Sequence, residues 1–288
     1  MNQSTSKSSG TLYIVATPIG NLGDMSQRAI DTLKNVDLVA AEDTRHSRPL
    51  LQQFGITTSL TALHEHNERN ACEDLLVKIQ TGESIAVISD AGTPLISDPG
   101  YFFVRRAHEL DIKVVPIPGA STLTSALCAA GLPTNSVHFE GFLPSKSTQR
   151  IARLKELAAM TDTLVFFEAP HRIIHTLDNM VEYFGASREA VFMRELTKLF
   201  ETIKAGSLEF LHDFVSEDPN QRKGEIAIVV QGTSAKPQSE NIDIESERIL
   251  KLLLKEVSTK KAAALTAEIT GLRKNQLYQH ALDLLDTK

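Results

Sequence analysis

Five times between Thr11 and Gly131 a short apolar run gives way to small and polar residues and then to a stretch of helical periodicity. The runs cover residues 11–17, 36–41, 59–63, 85–88 and 113–117. Parallel strands cannot be joined by a tight turn, so each needs a crossover, and a helix is the usual one. Strict strand–helix alternation therefore predicts a parallel sheet with helices on both faces. The fourth run, Ile85 to Ile88, is apolar at every position, as a strand buried on both faces must be. It breaks at Ser89-Asp90 into a loop of about ten residues carrying Gly92, Pro94, Asp98, Pro99 and Gly100. Most βα loops are shorter. In open α/β sheets ligands bind at the carboxyl ends of strands, so this loop is the first candidate site. Asp98 is placed to cap a following helix over about 99–110.

Beyond Gly131-Leu-Pro-Thr-Asn135 the pattern changes. Strands are predicted over 136–142, 163–168, 190–196, 201–204 and 225–231, and only a short helical segment, 207–214, separates the last two. Pairs joined so briefly give a mixed, partly antiparallel sheet. A polar linker follows, and the end of the chain reads as three helices over 245–257, 258–269 and 272–285 with Gly271 at the second turn. That is the outline of a helix-turn-helix unit. The expected division is 1–10 disordered, 11–132 a first α/β domain, 133–232 a second, 233–244 linker and 245–288 a helical domain.

Composition excludes several classes. With 42% hydrophobic and 23% charged residues the chain is an ordinary globular sequence, and its apolar runs are too short for a membrane span. The Ser-rich residues 1–10 lack the apolar core of a signal peptide. Two cysteines, Cys72 and Cys128, both in predicted helices, imply no disulfide framework and a reducing cytoplasm. A net charge of -6 excludes a uniformly basic surface but not a local basic patch. From residue 240 onward eight acidic residues balance eight basic ones, among them Lys251, Lys255, Lys260, Lys261, Arg273 and Lys274.

The first loop, 18–24, contains Gly20 and Gly23 but not G-x-G-x-x-G, and Pro18 at its head is wrong for that turn. An acid at Glu42 or Asp43 would suit a dinucleotide ribose, so a nicotinamide enzyme stands as the plain alternative. No Walker loop is present. The pair in His64-Glu65-His66 points to one side of an extended segment, yet a closed metal site needs more ligands than the neighbourhood offers, and no metal is expected. Cys72 and Cys128 read as small apolar residues. Glu42-Asp43-Thr44-Arg45-His46 brings acid, base and hydroxyl to the end of the second strand, where either helix capping or a role in a cleft is open.

Four ordered motifs carry a resemblance: Val15-Ala-Thr-Pro-Ile-Gly-Asn-Leu-Gly-Asp24, Ala41-Glu-Asp-Thr-Arg45, Ser89-Asp-Ala-Gly-Thr-Pro-Leu-Ile-Ser-Asp-Pro-Gly100 and Pro118-Gly-Ala-Ser-Thr122. Together they resemble the tetrapyrrole methylase superfamily, in its branch acting on ribosomal RNA. The resemblance implies two α/β domains with S-adenosylmethionine in the cleft between them, and a homodimer. It implies 2'-O-methylation of a cytidine ribose in the decoding region of small-subunit (16S) ribosomal RNA. Carried over to this chain, it assigns cofactor contacts to Pro18, Ala91, Gly92, Thr93, Ile96, Ser121, Thr122, Glu168, Leu196 and Ala227. Thr93 stands where many relatives have aspartate, and Asp90 is the substitute. For the chemistry, a carboxylate from Glu42 or Asp43 is expected to take the hydroxyl proton, and Arg45 to hold a phosphate.

Overall fold

In a computed structural model of the chain, residues 10–64, 68–233, 242 and 244–286 are described. The strands and helices of the first half alternate throughout: β1 (Thr11–Val15), α1 (Gln27–Asn35), β2 (Leu38–Ala41), α2 (Thr44–Gln53), β3 (Leu60–Ala62), α3 (Glu68–Gln80), β4 (Ile85–Ile88), α4 (Tyr101–Glu109), β5 (Lys113–Ile117) and α5 (Thr122–Ala130). The sheet order is β3-β2-β4-β1-β5, and every pairing is parallel. Side chains alternate between its faces as the pleat dictates. Ile85 and Val87 of β4 pack with Leu76, Ile79 and Phe103 of α3 and α4. Ala86 and Ile88 pack with Ala29, Leu33 and Leu51 of α1 and α2. β4 is buried along its whole length for that reason.

The second half holds β6 (Val137–Phe142), α6 (Ser147–Leu157), β7 (Thr163–Glu168), α7 (Ile173–Phe184), β8 (Glu189–Arg194), β9 (Thr202–Ser207), α8 (Leu208–Glu217) and β10 (Ile226–Val230). Its order is β6-β7-β10-β8-β9; β6 and β7 run parallel and the other pairings are antiparallel. One face, through Leu164, Phe166, Phe192 and Ile228, packs with α6, α7 and α8. The other face, through Val165, Val191, Met193 and Val229, packs with Ala126 and Ala130 of α5, the last helix of the first half. A small-residue helix lies flat there because its alanines permit close approach to the strands. Both faces of both sheets are thus covered, and the mixed sheet expected from the short 207–214 connection is present.

A larger compact unit ends at Gly232 and a smaller one begins at Thr233. The smaller contains α9 (Ile244–Glu256), α10 (Thr259–Thr270) and α11 (Lys274–Asp286) around Leu250, Ala262, Ala263, Leu277 and Ala281. Gly271, at φ 74°, ends α10 in the left-handed conformation that glycine tolerates best. The segments expected to be disordered (1–10) and to form a linker (233–244) lie outside the described residues, apart from Gly10, Thr233, Ile242 and Ile244; the last belongs to α9. Among the described residues no helix is long and apolar enough to cross a membrane.

Candidate active site

The loops that leave β1, β2, β4 and β5 at their carboxyl ends enclose, with residues of the second sheet, a cavity of about 410 Å³. That lies within the usual range for small-molecule sites. The long loop after β4 is held open by four anchors. Thr17 and Gly92 exchange backbone hydrogen bonds of 2.9 and 3.0 Å. The Thr93 hydroxyl donates to the Ala120 carbonyl at 3.0 Å. Ser97 abuts β6, where a Cβ on Gly141 would come within 3.1 Å of its Oγ. At the far end the Glu68 carboxylate of α3 accepts from the backbone N–H groups of Gly100 and Phe102, at 3.1 and 3.0 Å. Glu68, not Asp98, therefore caps α4, which starts at Tyr101. Leu95 and Ser97 take positive φ values of 72° and 70°, strained for non-glycine residues. This conformation leaves Asp98 in the cavity wall.

Glu42, Asp90, Ala91, Gly92, Thr93, Ile96, Ser121, Thr122, Glu168, Leu196 and Ala227, all expected from the sequence, line this one space. Three other expected residues do not. Pro18 is buried beside the cavity, and its successor Ile19 forms the wall. Asp43 caps α2 by accepting from the Arg45 backbone at 2.8 Å and also holds the Arg45 guanidinium, with contacts of 2.6 to 3.2 Å. The Arg45 side chain is 86% exposed. That guanidinium holds the Asp43 carboxyl well below the usual range, so Asp43 is a poor proton acceptor. The sequence reading missed Asp98, Met193, Phe142, Gly224 and Glu225. Only Asp98 carried a signal, as the second aspartate of the long loop, and helix capping explained it away. Of His64-Glu65-His66, the last two residues lie outside the described residues; no cluster that could hold a metal occurs among those described.

The electrostatics are one-sided. Glu42, Asp90, Asp98, Glu168 and Glu225 line the cavity, while no described lining residue is lysine, arginine or histidine. Burial, with the nearby charges of Glu42 and Asp90, pushes the Asp98 carboxyl up to about 6, against a lowering hydrogen bond from Ser89. Burial also raises Glu42, reinforced by Asp90 and Asp43. Glu168 differs. Its buried carboxylate accepts from the Ala169 N–H at 2.7 Å, the Thr176 hydroxyl at 2.6 Å and Arg172, which approaches to 2.6 Å. Its charge is matched inside the fold. Lys198, close in sequence to Leu196, is likewise engaged, with Glu195 at 2.8 Å and Glu225 at 3.2 Å. The cavity thus keeps uncompensated negative charge over an apolar floor of Ile19, Met193, Leu196 and Ala227. Such a site selects a ligand with a cationic centre and an apolar body.

A parallel sheet and a mixed sheet with a ligand cavity between their loops define a two-sheet α/β enzyme. The chain belongs to the tetrapyrrole (corrin/porphyrin) methylase family, whose model matches residues 11–211; the RsmI C-terminal HTH domain matches residues 240–285. It is 55% identical over 275 residues to the ribosomal RNA small subunit methyltransferase I of Pseudomonas aeruginosa, covering 96% of this chain and 98% of that protein. To the protein of the same name from Escherichia coli O157:H7 it is 51% identical over 282 residues, covering 98% of each. Among solved structures, a diphthine synthase matches with a TM-score of 0.59 and 16% identity, over 77% of this chain and 90% of that one. At that identity the likeness is one of fold.

Proposed function

We propose that this chain transfers the methyl group of S-adenosylmethionine to the 2'-hydroxyl of a cytidine ribose in the decoding region of small-subunit ribosomal RNA, in the cytoplasm and as a homodimer. The observation that supports this most is the anionic cavity, with no basic side chain among its described lining residues, in a chain that matches relatives named for such an RNA over nearly their full length. The donor fits the residues present: its ammonium and sulfonium are cationic, and Asp98 and Glu42 supply unmatched negative charge with Asp90 beside them. Ile19, Leu196 and Ala227 offer apolar surface to its adenosine, and Ser121 and Thr122 offer hydroxyls. When bound, the donor supplies an electrophilic methyl whose transfer discharges the sulfonium.

This chain's residues then have mainly to position and exclude water. The loop after β4 is locked by its anchors, so the donor meets a preformed wall, and alignment alone is worth roughly 7–11 kcal/mol in favourable cases. Arg45, exposed and held by Asp43 at the start of α2, is set to grip an RNA phosphate. Leu199 and Phe200, adjacent and largely exposed, support a partner surface such as a second copy.

Methyl-labelled donor offered with small subunits lacking the modification, naked small-subunit RNA and a tetrapyrrole precursor tests the reading. Label in RNA at an alkali-resistant linkage is expected; label in the tetrapyrrole alone would overturn it. A further expectation concerns the helical unit. It docks structured RNA through phosphates and shape rather than base edges. Removing residues 241–288 should weaken subunit binding by at least about tenfold, the loss expected from a few phosphate contacts at moderate salt. Donor affinity, measured by calorimetry, should not change. Unaltered subunit affinity would rule the role out.

A further inference from the structure

We infer that His46 is the group that takes the proton from the accepting hydroxyl, with Asp90 as its positioning residue. The inference rests on the proposed transfer to a ribose hydroxyl. His46 stands in the first turn of α2, just after β2, and Asp90 follows β4. Strands β2 and β4 pair in parallel, so both side chains leave the carboxyl ends of neighbouring strands. Asp90 is fixed from both sides. One carboxylate oxygen accepts from the Asp43 backbone at 3.1 Å, and the other lies 3.3 Å from His46 Nδ1. Because Asp90 also lines the cavity, the imidazole sits one hydrogen bond outside its wall.

A carboxylate at Nδ1 keeps the ring proton on that nitrogen and leaves the Nε2 lone pair free. Among the described residues Nε2 has no partner, and the side chain is 73% exposed. A base, the carboxylate that orients it, and an exposed ring nitrogen one residue outside the cavity lining are the parts that general base catalysis needs. The other charged groups around the ring are Asp43, 4.0 Å away and held by Arg45, and Glu42, which faces the Asp90 N–H at 3.5 Å. Asp43 is held too acidic to compete. Glu42 belongs to the inner wall, where its charge faces the donor. In the step itself, Nε2 accepts the hydroxyl proton and the ribose oxygen bonds to the methyl carbon. The pair of the broken carbon–sulfur bond stays on sulfur, and the imidazolium passes its proton to water.

The test uses the full chain on small subunits lacking the modification. His46→Gln should lower kcat by about 10²–10³-fold, within the range for general base catalysis. Its donor affinity by calorimetry should be unchanged. In His46→Ala, added imidazole should restore part of the rate, because the position is open to solvent. Glu42→Gln should instead weaken donor binding. If His46→Gln retains wild-type kcat, the inference falls. It also falls if the rate is lost in both variants and imidazole restores nothing to His46→Ala, since His46 would then be structural. If the wild-type chain puts no label into RNA, the underlying reaction is wrong and the inference goes with it; if the wild type labels RNA and the variants behave alike, only the inference is wrong.

Discussion

Glu168→Ala should lower the unfolding free energy by about 3–5 kcal/mol, the usual cost of removing one partner of a buried ion pair. The substitution strands Arg172, whose side chain is only 17% exposed. It also removes the acceptors of the Ala169 N–H and the Thr176 hydroxyl. Among the described residues the Arg172 guanidinium would keep its bond to the Leu143 carbonyl at 2.8 Å. Glu168→Gln keeps the shape and one acceptor oxygen, so its loss should be smaller, about 1–3 kcal/mol. Urea unfolding of the three chains reads the difference as shifts in midpoint at constant slope. A Glu168→Ala midpoint equal to wild type would show that the carboxylate serves the ligand and not the fold.

Asp98→Asn should move stability and binding in opposite directions. The Asp98 carboxyl titrates near 6 in the folded chain and near 3.9 when unfolded. Between those values the folded state binds more protons, so stability falls as pH rises through the window and the penalty is complete above about pH 6. Asparagine removes the penalty. The variant should gain about 1–2 kcal/mol at pH 7.5, allowing for the screening of a partly open group, and nothing below about pH 4. Its affinity for a cationic donor should drop about tenfold or more, since the charge near the donor's cation is lost. In the wild type, affinity should climb from pH 5 to pH 7 as Asp98 ionises, and that climb should be shallower in the variant. Thermal denaturation and calorimetric titration at three pH values decide both halves. A variant that binds the donor as well as wild type at pH 7.5 would remove Asp98 from the binding site.

Much of the fold was readable because local pattern and global architecture agree. Ile85 to Ile88, Lys113 to Ile117 and Thr163 to Glu168 stand where the apolar runs placed them. The cavity residues after β4 and β5 followed from the rule about strand ends and from the family motifs. What stayed hidden depends on distant partners. Asp98 looks like a helix cap because aspartate before Pro-Gly is a good one. The actual cap, Glu68, lies 34 residues from Phe102 on another helix, and no local pattern announces it. Asp43 and His46 are three residues apart and alike in promise. Only the fold shows that Asp43 is drawn to Arg45 while His46 turns to Asp90, 44 residues on. Met193 and Phe142 carried no signal, since a cavity residue on a strand has the same apolar character as a core residue.

The position of α5 has a consequence for how the larger unit comes apart. Ala126 and Ala130 belong to the first half by sequence, yet the surface they cover belongs to the second sheet. A fragment ending at Gly131 would carry an unshielded alanine and leucine face, and a fragment beginning at Leu132 would bare Val165, Val191 and Val229. Each piece would bare apolar surface that the other covers, so residues 11–232 should melt as one cooperative block although they contain two separate sheets. A destabilising lesion in either sheet is therefore felt in the other, and any guest inserted at the junction after Gly131 must leave α5 seated for the protein to remain whole.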